Sequence, residues 1–232
     1  DGTLQLNCSQ NSHGIKLKSP AHSASASYTL TFPTTDGNAN EFLQSNGSGV
    51  LTWAEAGGGG MVKISTVTAS NASSVDFDNI ASTYKAHVIV GTNIRPQSGS
   101  TTFECNFGSD GTNYAANKTS LYFFQYRSNS GDPTFTKNDS YSLGNSTSNQ
   151  ILQYSLSDNT TWSKTATMYA YFGGLAQGGY ASYNIQFTHF ASNSYMYGSS
   201  VRGAILADVD CVRFLLGSGN INGTFTLYGM DQ

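Results

Sequence analysis

Hydrophobic and polar positions alternate along most of the chain with a period of two, and nowhere follow the 3.6-residue period of a helix. Alternation of this kind over a few residues marks a strand with one buried face. In the first fifty-six residues it appears in Thr3-Leu4-Gln5-Leu6, in Ile15-Lys16-Leu17-Lys18 and in Tyr28-Thr29-Leu30-Thr31-Phe32, which Pro33 ends. Phe42-Leu43 and Val50-Leu51-Thr52-Trp53 flank Asn46-Gly47-Ser48-Gly49, which predicts a hairpin. Each strand carries only two or three apolar side chains on one face. A segment of about 55 residues built this way is too small to close a core alone. The cheapest cover for Leu4, Leu6, Ile15 and Leu17 is the same segment of a neighbouring copy, so residues 1–56 are expected to form an oligomeric, trimeric β stem.

Residues 57–60 are four consecutive glycines. Glycine loses the most conformational freedom on ordering, so this run predicts a flexible joint and the domain boundary. Residues 61–232 are expected to form the head. Its strand candidates are 61–67, 75–77, 84–94, 101–107, 121–126, 166–172, 180–190, 204–206, 211–216 and 223–228. Turn-rich segments such as Gln97-Ser98-Gly99-Ser100 and Gly217-Ser218-Gly219-Asn220 separate them. The only helical possibility is a turn or two over Asn79–Tyr84. Nine or ten strands predict an all-β fold: a small N-terminal β stem plus a jelly-roll-like antiparallel β-sandwich head. Phe103, Cys105 and Phe107 should face its core, with Thr102, Glu104 and Asn106 outside. Tyr183, Ile185, Phe187 and His189 should share one face, as should Phe225, Leu227 and Gly229.

Composition supports the all-β reading. Charged residues are only 11% of the 232, well below the roughly 25% usual in globular chains. Ser, Thr, Asn and Gly fill the gap with 14 Tyr and 13 Phe, residues suited to turns and half-buried strands and unlike those of disordered chains. A net charge of −3 with no basic stripe gives nucleic-acid binding no electrostatic footing. No apolar run approaches the roughly 18 residues of a membrane span. The chain opens at Asp1 with neither Met nor signal peptide, which reads as a processed chain or the ordered part of something longer. Cys8, Cys105 and Cys211 are too sparse for a disulfide framework or a metal motif and read as buried or incidental free thiols.

Candidate chemistry is thin. No Gly-x-Ser-x-Gly elbow occurs, and His13, His22, His87 and His189 are too scattered to supply a base; His87 reads as a satisfied strand histidine. Glycoside hydrolysis needs two carboxyls some 5–10 Å apart. Glu41 and Glu55 lie in the stem or joint, and Asp208 and Asp210, flanking Val209, read as a solvated turn. Ser109-Asp110-Gly111-Thr112-Asn113 resembles a fragment of a calcium loop but lacks the remaining carboxylates. No enzymatic activity, metal or cofactor is therefore expected. Asn-x-Ser/Thr sequons are frequent, as chance dictates in so Asn-, Ser- and Thr-rich a chain. Aromatics are more suggestive, because exposed rings stack on sugar faces. The strand Tyr122-Phe123-Phe124-Gln125-Tyr126-Arg127 carries aromatics on both faces, which leaves some for a subunit interface or a ligand surface. Tyr122, Tyr126, Tyr180, Tyr195 and Tyr197 are the candidate ligand-binding residues.

Several phrases resemble the short β repeat of tailed-bacteriophage fibres, in particular those of marine phages and cyanophages. They are Gly2-Thr3-Leu4-Gln5-Leu6, Gly14-Ile15-Lys16-Leu17-Lys18-Ser19-Pro20, Ser27-Tyr28-Thr29-Leu30-Thr31-Phe32-Pro33, and the run from Phe42 to Trp53. The head, from Lys63-Ile64-Ser65 to Gly223-Thr224-Phe225-Thr226-Leu227-Tyr228-Gly229, is similar to modules carried behind such stems. The resemblance implies a homotrimeric virion appendage made in the bacterial cytoplasm, bound to other virion proteins and exposed on the particle, with no membrane insertion. It carries over no catalytic residue. Three functions stay open: a tail fibre adhering to a host glycan, a capsid decoration or head-fibre protein with a purely structural role, and a polysaccharide-degrading tailspike, which lacks its carboxylate pair and long parallel-β repeats here.

Overall fold

The computed structural model describes residues 3–9, 13–55, 60–109, 111, 113–128, 131, 133–158, 166–192 and 195–230, without the side chains of 55, 128, 191, 192 and 195. It divides into two compact units, 1–57 and 58–232, so the boundary falls in the glycine run. Gly57 to Gly59, the bulk of the predicted joint, lie outside the described residues.

In the smaller unit β1 (Thr3–Asn7) and β2 (Gly14–Lys18) form an antiparallel hairpin that pairs Leu4 with Leu17 and Leu6 with Ile15. All ten residues are exposed, and the four apolar side chains are 57–73% open to solvent. A second hairpin joins β3 (Glu41–Ser45) to β4 (Leu51–Glu55). Its turn is the predicted Asn46–Gly49: the Asn46 side chain accepts from the backbone N–H of Ser48 at 2.8 Å, and Gly47 and Gly49 both sit at φ 85°. That left-handed conformation is one glycine adopts without strain. The Trp53 indole N–H donates to the Thr35 carbonyl at 2.7 Å. The alternating segment 28–32 is not a strand; only Thr31 bridges, to Val50. Alternation makes a strand only where a partner offers a ladder, and within the unit none is offered to the rest of this segment.

Among its described residues the larger unit holds twelve strands: β5 (Met61–Ala72), β6 (Ser74–Phe77), β7 (Ala86–Pro96), β8 (Ser100–Gly108), β9 (Lys118–Ser128), β10 (Thr134–Lys137), β11 (Gln150–Ser157), β12 (Thr167–Gly173), β13 (Ala181–Ser192), β14 (Tyr195–Ile205), β15 (Cys211–Leu216) and β16 (Ile221–Met230). One sheet has eight strands in the order β10-β9-β14-β13-β12-β7-β16-β5, and the other has four, β11-β8-β15-β6. Every pairing is antiparallel. The fold is an all-β sandwich. β10, β9, β14 and β13 lie together at one side of the large sheet, leaving β12-β7-β16-β5 as the partner in number of the small one.

Alternation decides what the sandwich buries. Phe103, Cys105 and Phe107 of β8 are fully buried, as are Tyr183, Ile185, Phe187 and His189 of β13 and Phe225 and Leu227 of β16. Phe103 packs its ring against Phe187, Phe214 and Phe225 at 5.3, 6.0 and 6.4 Å between centroids, so three strands besides its own meet on one side chain. Asn106 departs from expectation. It points out from β8 yet is buried, because its side-chain amide donates to the Thr147 carbonyl at 3.1 Å and to Asn149 Oδ1 at 2.8 Å under the loop before β11. Residues 79–84 form turns, not a helix. His87 is buried, edge-on to Tyr84, with its pKa lowered by burial.

Polar groups enter the core beside Cys105. The side-chain oxygen of Gln150 accepts from the hydroxyls of Ser120 and Tyr183, while its NH2 group donates to the carbonyls of Tyr141 and Ile151 at 3.0 and 2.9 Å. Lys118 is fully buried and donates to the Ala116 carbonyl at 3.0 Å; burial lowers its pKa to about 8. At the small sheet's edge Arg213 makes a two-pronged ion pair with Asp76 at 2.7 and 2.8 Å and lies 3.8 Å over the Tyr114 ring. A planar guanidinium suits both contacts at once.

Candidate functional site

β9, β13 and β14 carry the chemistry, because they present different residues on their two faces. On β9 the even positions Lys118, Ser120, Tyr122 and Phe124 turn inward and are buried, while Leu121, Phe123 and Gln125 turn outward. Tyr122 is therefore core, not surface: its ring meets Tyr141 edge-on at 5.3 Å and is fully buried. A residue with no exposed surface cannot contact a ligand in this state, which removes Tyr122 from the candidate set.

Tyr126 and Tyr197 are brought together, but on the inward face at the rim of the sandwich. Their centroids are 6.2 Å apart, and both stack near Phe124, at 5.9 and 5.7 Å. Tyr154 and His189 extend the cluster through Tyr197 at 6.1 and 5.4 Å. Tyr126 is 37% exposed and Tyr197 packs half-buried against the core. This is packing that reaches the surface. Tyr180 is 79% exposed, in the glycine-rich turn before β13. It stands at the far end of that strand from Tyr197: Ala181 pairs with Ile205 and His189 with Tyr197, a separation of roughly 27 Å at the usual rise of a strand. Tyr180 and Tyr197 thus belong to no common pocket. The Tyr195 side chain lies outside the described residues, as do Asp110 and Thr112 of the calcium-loop-like segment.

The outward face of the same strands holds a groove of about 250 Å³. Its aromatic wall is Phe123 of β9 and Phe135 of β10, whose rings are nearly parallel, 5.7 Å apart at 9°. Phe135 is 69% exposed, unusually open for a ring held in a ladder. Cross-strand register sets the floor: Phe123 pairs with Ser200 and Ser200 with Gln186, while Gln125 pairs with Gly198 and Gly198 with Thr188. Any side chain at position 198 would run into the Gln125 amide, so glycine leaves the groove open there. Arg202 stands at its end, exposed, opposite Asn184 on β13 and Leu121 on β9. Among the described residues no carboxylate lines the groove and none pairs with Arg202.

Two polar atoms at this end lack a described partner although they are buried: Ser200 Oγ and Asn184 Oδ1. Buried polar groups are nearly always hydrogen-bonded, so each marks unused donor or acceptor capacity. His87, which the sequence reads as satisfied, also has both ring nitrogens buried without a hydrogen-bond partner, as do the His189 ring and Gln153 Oε1, whereas several polar groups away from the groove are occupied. Asp208 accepts from the Gly178 N–H at 3.2 Å, the Cys211 thiol donates to Asp210 at 2.9 Å, and Glu104 accepts from Thr102 and Asn149. Among the described residues no three His, Cys, Asp or Glu side chains converge as a metal site. Among the described residues no helix is long and apolar enough to cross a membrane.

Sequence reading put Phe123 and Gln125 on the right strand but chose its tyrosines, which alternation turns inward. Phe135, Gln186, Ser200 and Arg202 were not singled out. The only signal for Gln186, Ser200 and Arg202 was parity, since residues one step from the buried Ile185, Phe187, Ser199 and Val201 must face the other side; Phe135, on a fully exposed strand, had none. No protein family, curated protein or solved structure matches this chain.

Proposed function

We propose that this chain is a fibre-type virion protein of a tailed phage, trimerised through its stem, whose head adheres to a glycan of the host surface. The observation that carries the reading is the β1–β2 hairpin. Leu4, Leu6, Ile15 and Leu17 are more than half exposed on an isolated two-stranded ladder, which is at best marginally stable in water. Close association of identical hairpins buries all four, and a repeat of such hairpins along an axis is a fibre.

The head supports the same reading. Leaving out β9, β10, β13 and β14, its eight remaining strands run first-eighth-third-sixth in one sheet and second-seventh-fourth-fifth in the other. That order is consistent with a jelly roll, an architecture used by viral capsid and lectin domains. Fold alone does not fix function. The open groove with its stacked phenylalanines favours adhesion over a purely structural capsid role, since a decoration protein has no need of it. Sedimentation equilibrium of the full chain at micromolar concentration tests the proposal: three times the 24.7 kDa chain mass is expected. A monomer that keeps its strand content would overturn it.

A further inference from the structure

The groove on the outward face of the large sheet has a specific chemistry. We infer that it binds an acidic saccharide, one bearing a carboxylate of the uronic or sialic acid kind, and that Arg202 is its specificity-determining residue. The inference rests on the adhesive reading above and names the ligand class for it.

Three observations converge. First, Phe123 and Phe135 present a flat apolar platform with one ring largely open to solvent. The C–H face of a pyranose fits such a platform, and the ring loses little entropy on binding because it is already held by the ladder. Second, the polar surface is of the kind that matches hydroxyl arrays. Gln125 and Gln186, both exposed, offer donors and acceptors alike. Third, the charge is one-sided. Among the described residues Arg202 is the only ionisable one lining the groove, and no described carboxylate answers it, in a chain whose net charge is −3. A guanidinium presents a planar fork that binds a carboxylate through two parallel hydrogen bonds. Neutral sugars would leave the guanidinium without a counter-charge; cationic ligands are repelled by it.

The test is an oligosaccharide array probed with the full chain. Uronic- and sialic-acid oligosaccharides are spotted beside their carboxyl-reduced counterparts, in which the acid is an alcohol and the ring is otherwise the same. Binding to acidic members is expected, falling at least tenfold on carboxyl reduction and at least tenfold in Arg202→Gln. Phe135→Ala should weaken the acidic and reduced forms by the same factor, because stacking does not sense charge. Both side chains are exposed, so both variants should keep the parent unfolding midpoint. Saccharide binding unaffected by carboxyl reduction or by Arg202→Gln overturns the acidic assignment and leaves adhesion standing. Absence of binding to every saccharide, acidic or neutral, overturns this inference together with the adhesive role of the head, while the oligomeric stem is judged separately by its mass.

Discussion

Acid should loosen the head well before its carboxylates are protonated. His189 is 1% exposed between Phe187 and Tyr197, at 5.7 and 5.4 Å, and burial lowers its pKa from 6.5 to about 4, with the Ser155 backbone offsetting part of the shift. The folded state therefore refuses a proton that the unfolded state takes up. The neutral ring fits the core at full stability above pH 6.5, and stability falls as pH drops from 6.5 towards 4. Each unit of displacement is worth about 1.4 kcal/mol, so the full loss is about 3 kcal/mol, of which about 2 kcal/mol is reached by pH 5. Urea unfolding of the full chain at pH 7.5, 6.5, 5.5 and 5.0, followed by tryptophan fluorescence and far-UV circular dichroism, reads this slope. His189→Leu should remove most of it over that range, leaving the smaller slope of His87, whose pKa burial also lowers. A wild-type slope that His189→Leu leaves intact would refute the reasoning, since the proton uptake would then belong to another group.

Leu17→Asp places a carboxylate opposite Leu4 on the hairpin and should shift the full chain from trimer to monomer without changing the head's melting; unchanged size by light scattering would count against the stem argument. Phe103→Ala empties the point where rings of β8, β13, β15 and β16 meet and should cost about 3–5 kcal/mol in chemical denaturation; a loss below about 1 kcal/mol would mean that the site collapses freely. Gly203→Ala drives a methyl group into the Thr119 carbonyl and the Tyr183 ring, and neither can swing away. Such overpacking should cost about 1–3 kcal/mol, read as a lower unfolding midpoint.

Where a strand's alternation is strict, its inward set follows from parity alone. Phe103, Cys105 and Phe107 are core for this reason, as are the four inward residues of β13. Where the pattern is interrupted, sequence reading lost the strand. β11 is broken by register shifts after Ile151 and after Gln153. β14 runs through Gly198-Ser199-Ser200, which reads locally as a turn but is held between β13 and β9. The short β10 is fully exposed and exists only as the edge partner of β9.

The sequence by itself determined the class of this protein. Period-two patterning, a dearth of charge and a glycine run settle strands, sandwich and division, because each is a property of near neighbours along the chain. Only the tertiary structure decided which aromatics are available. Tyr122 and Phe123 are adjacent and chemically alike, yet one fills the core and the other lines a groove, because β14 pairs with β9 in a register that turns odd positions outward. The groove itself is assembled from four strands spread over residues 118–205, and no local pattern records that Phe135, Gln186, Ser200 and Arg202 meet. Long-range register is a global property, fixed by which face each strand must bury, and the site exists only as its consequence.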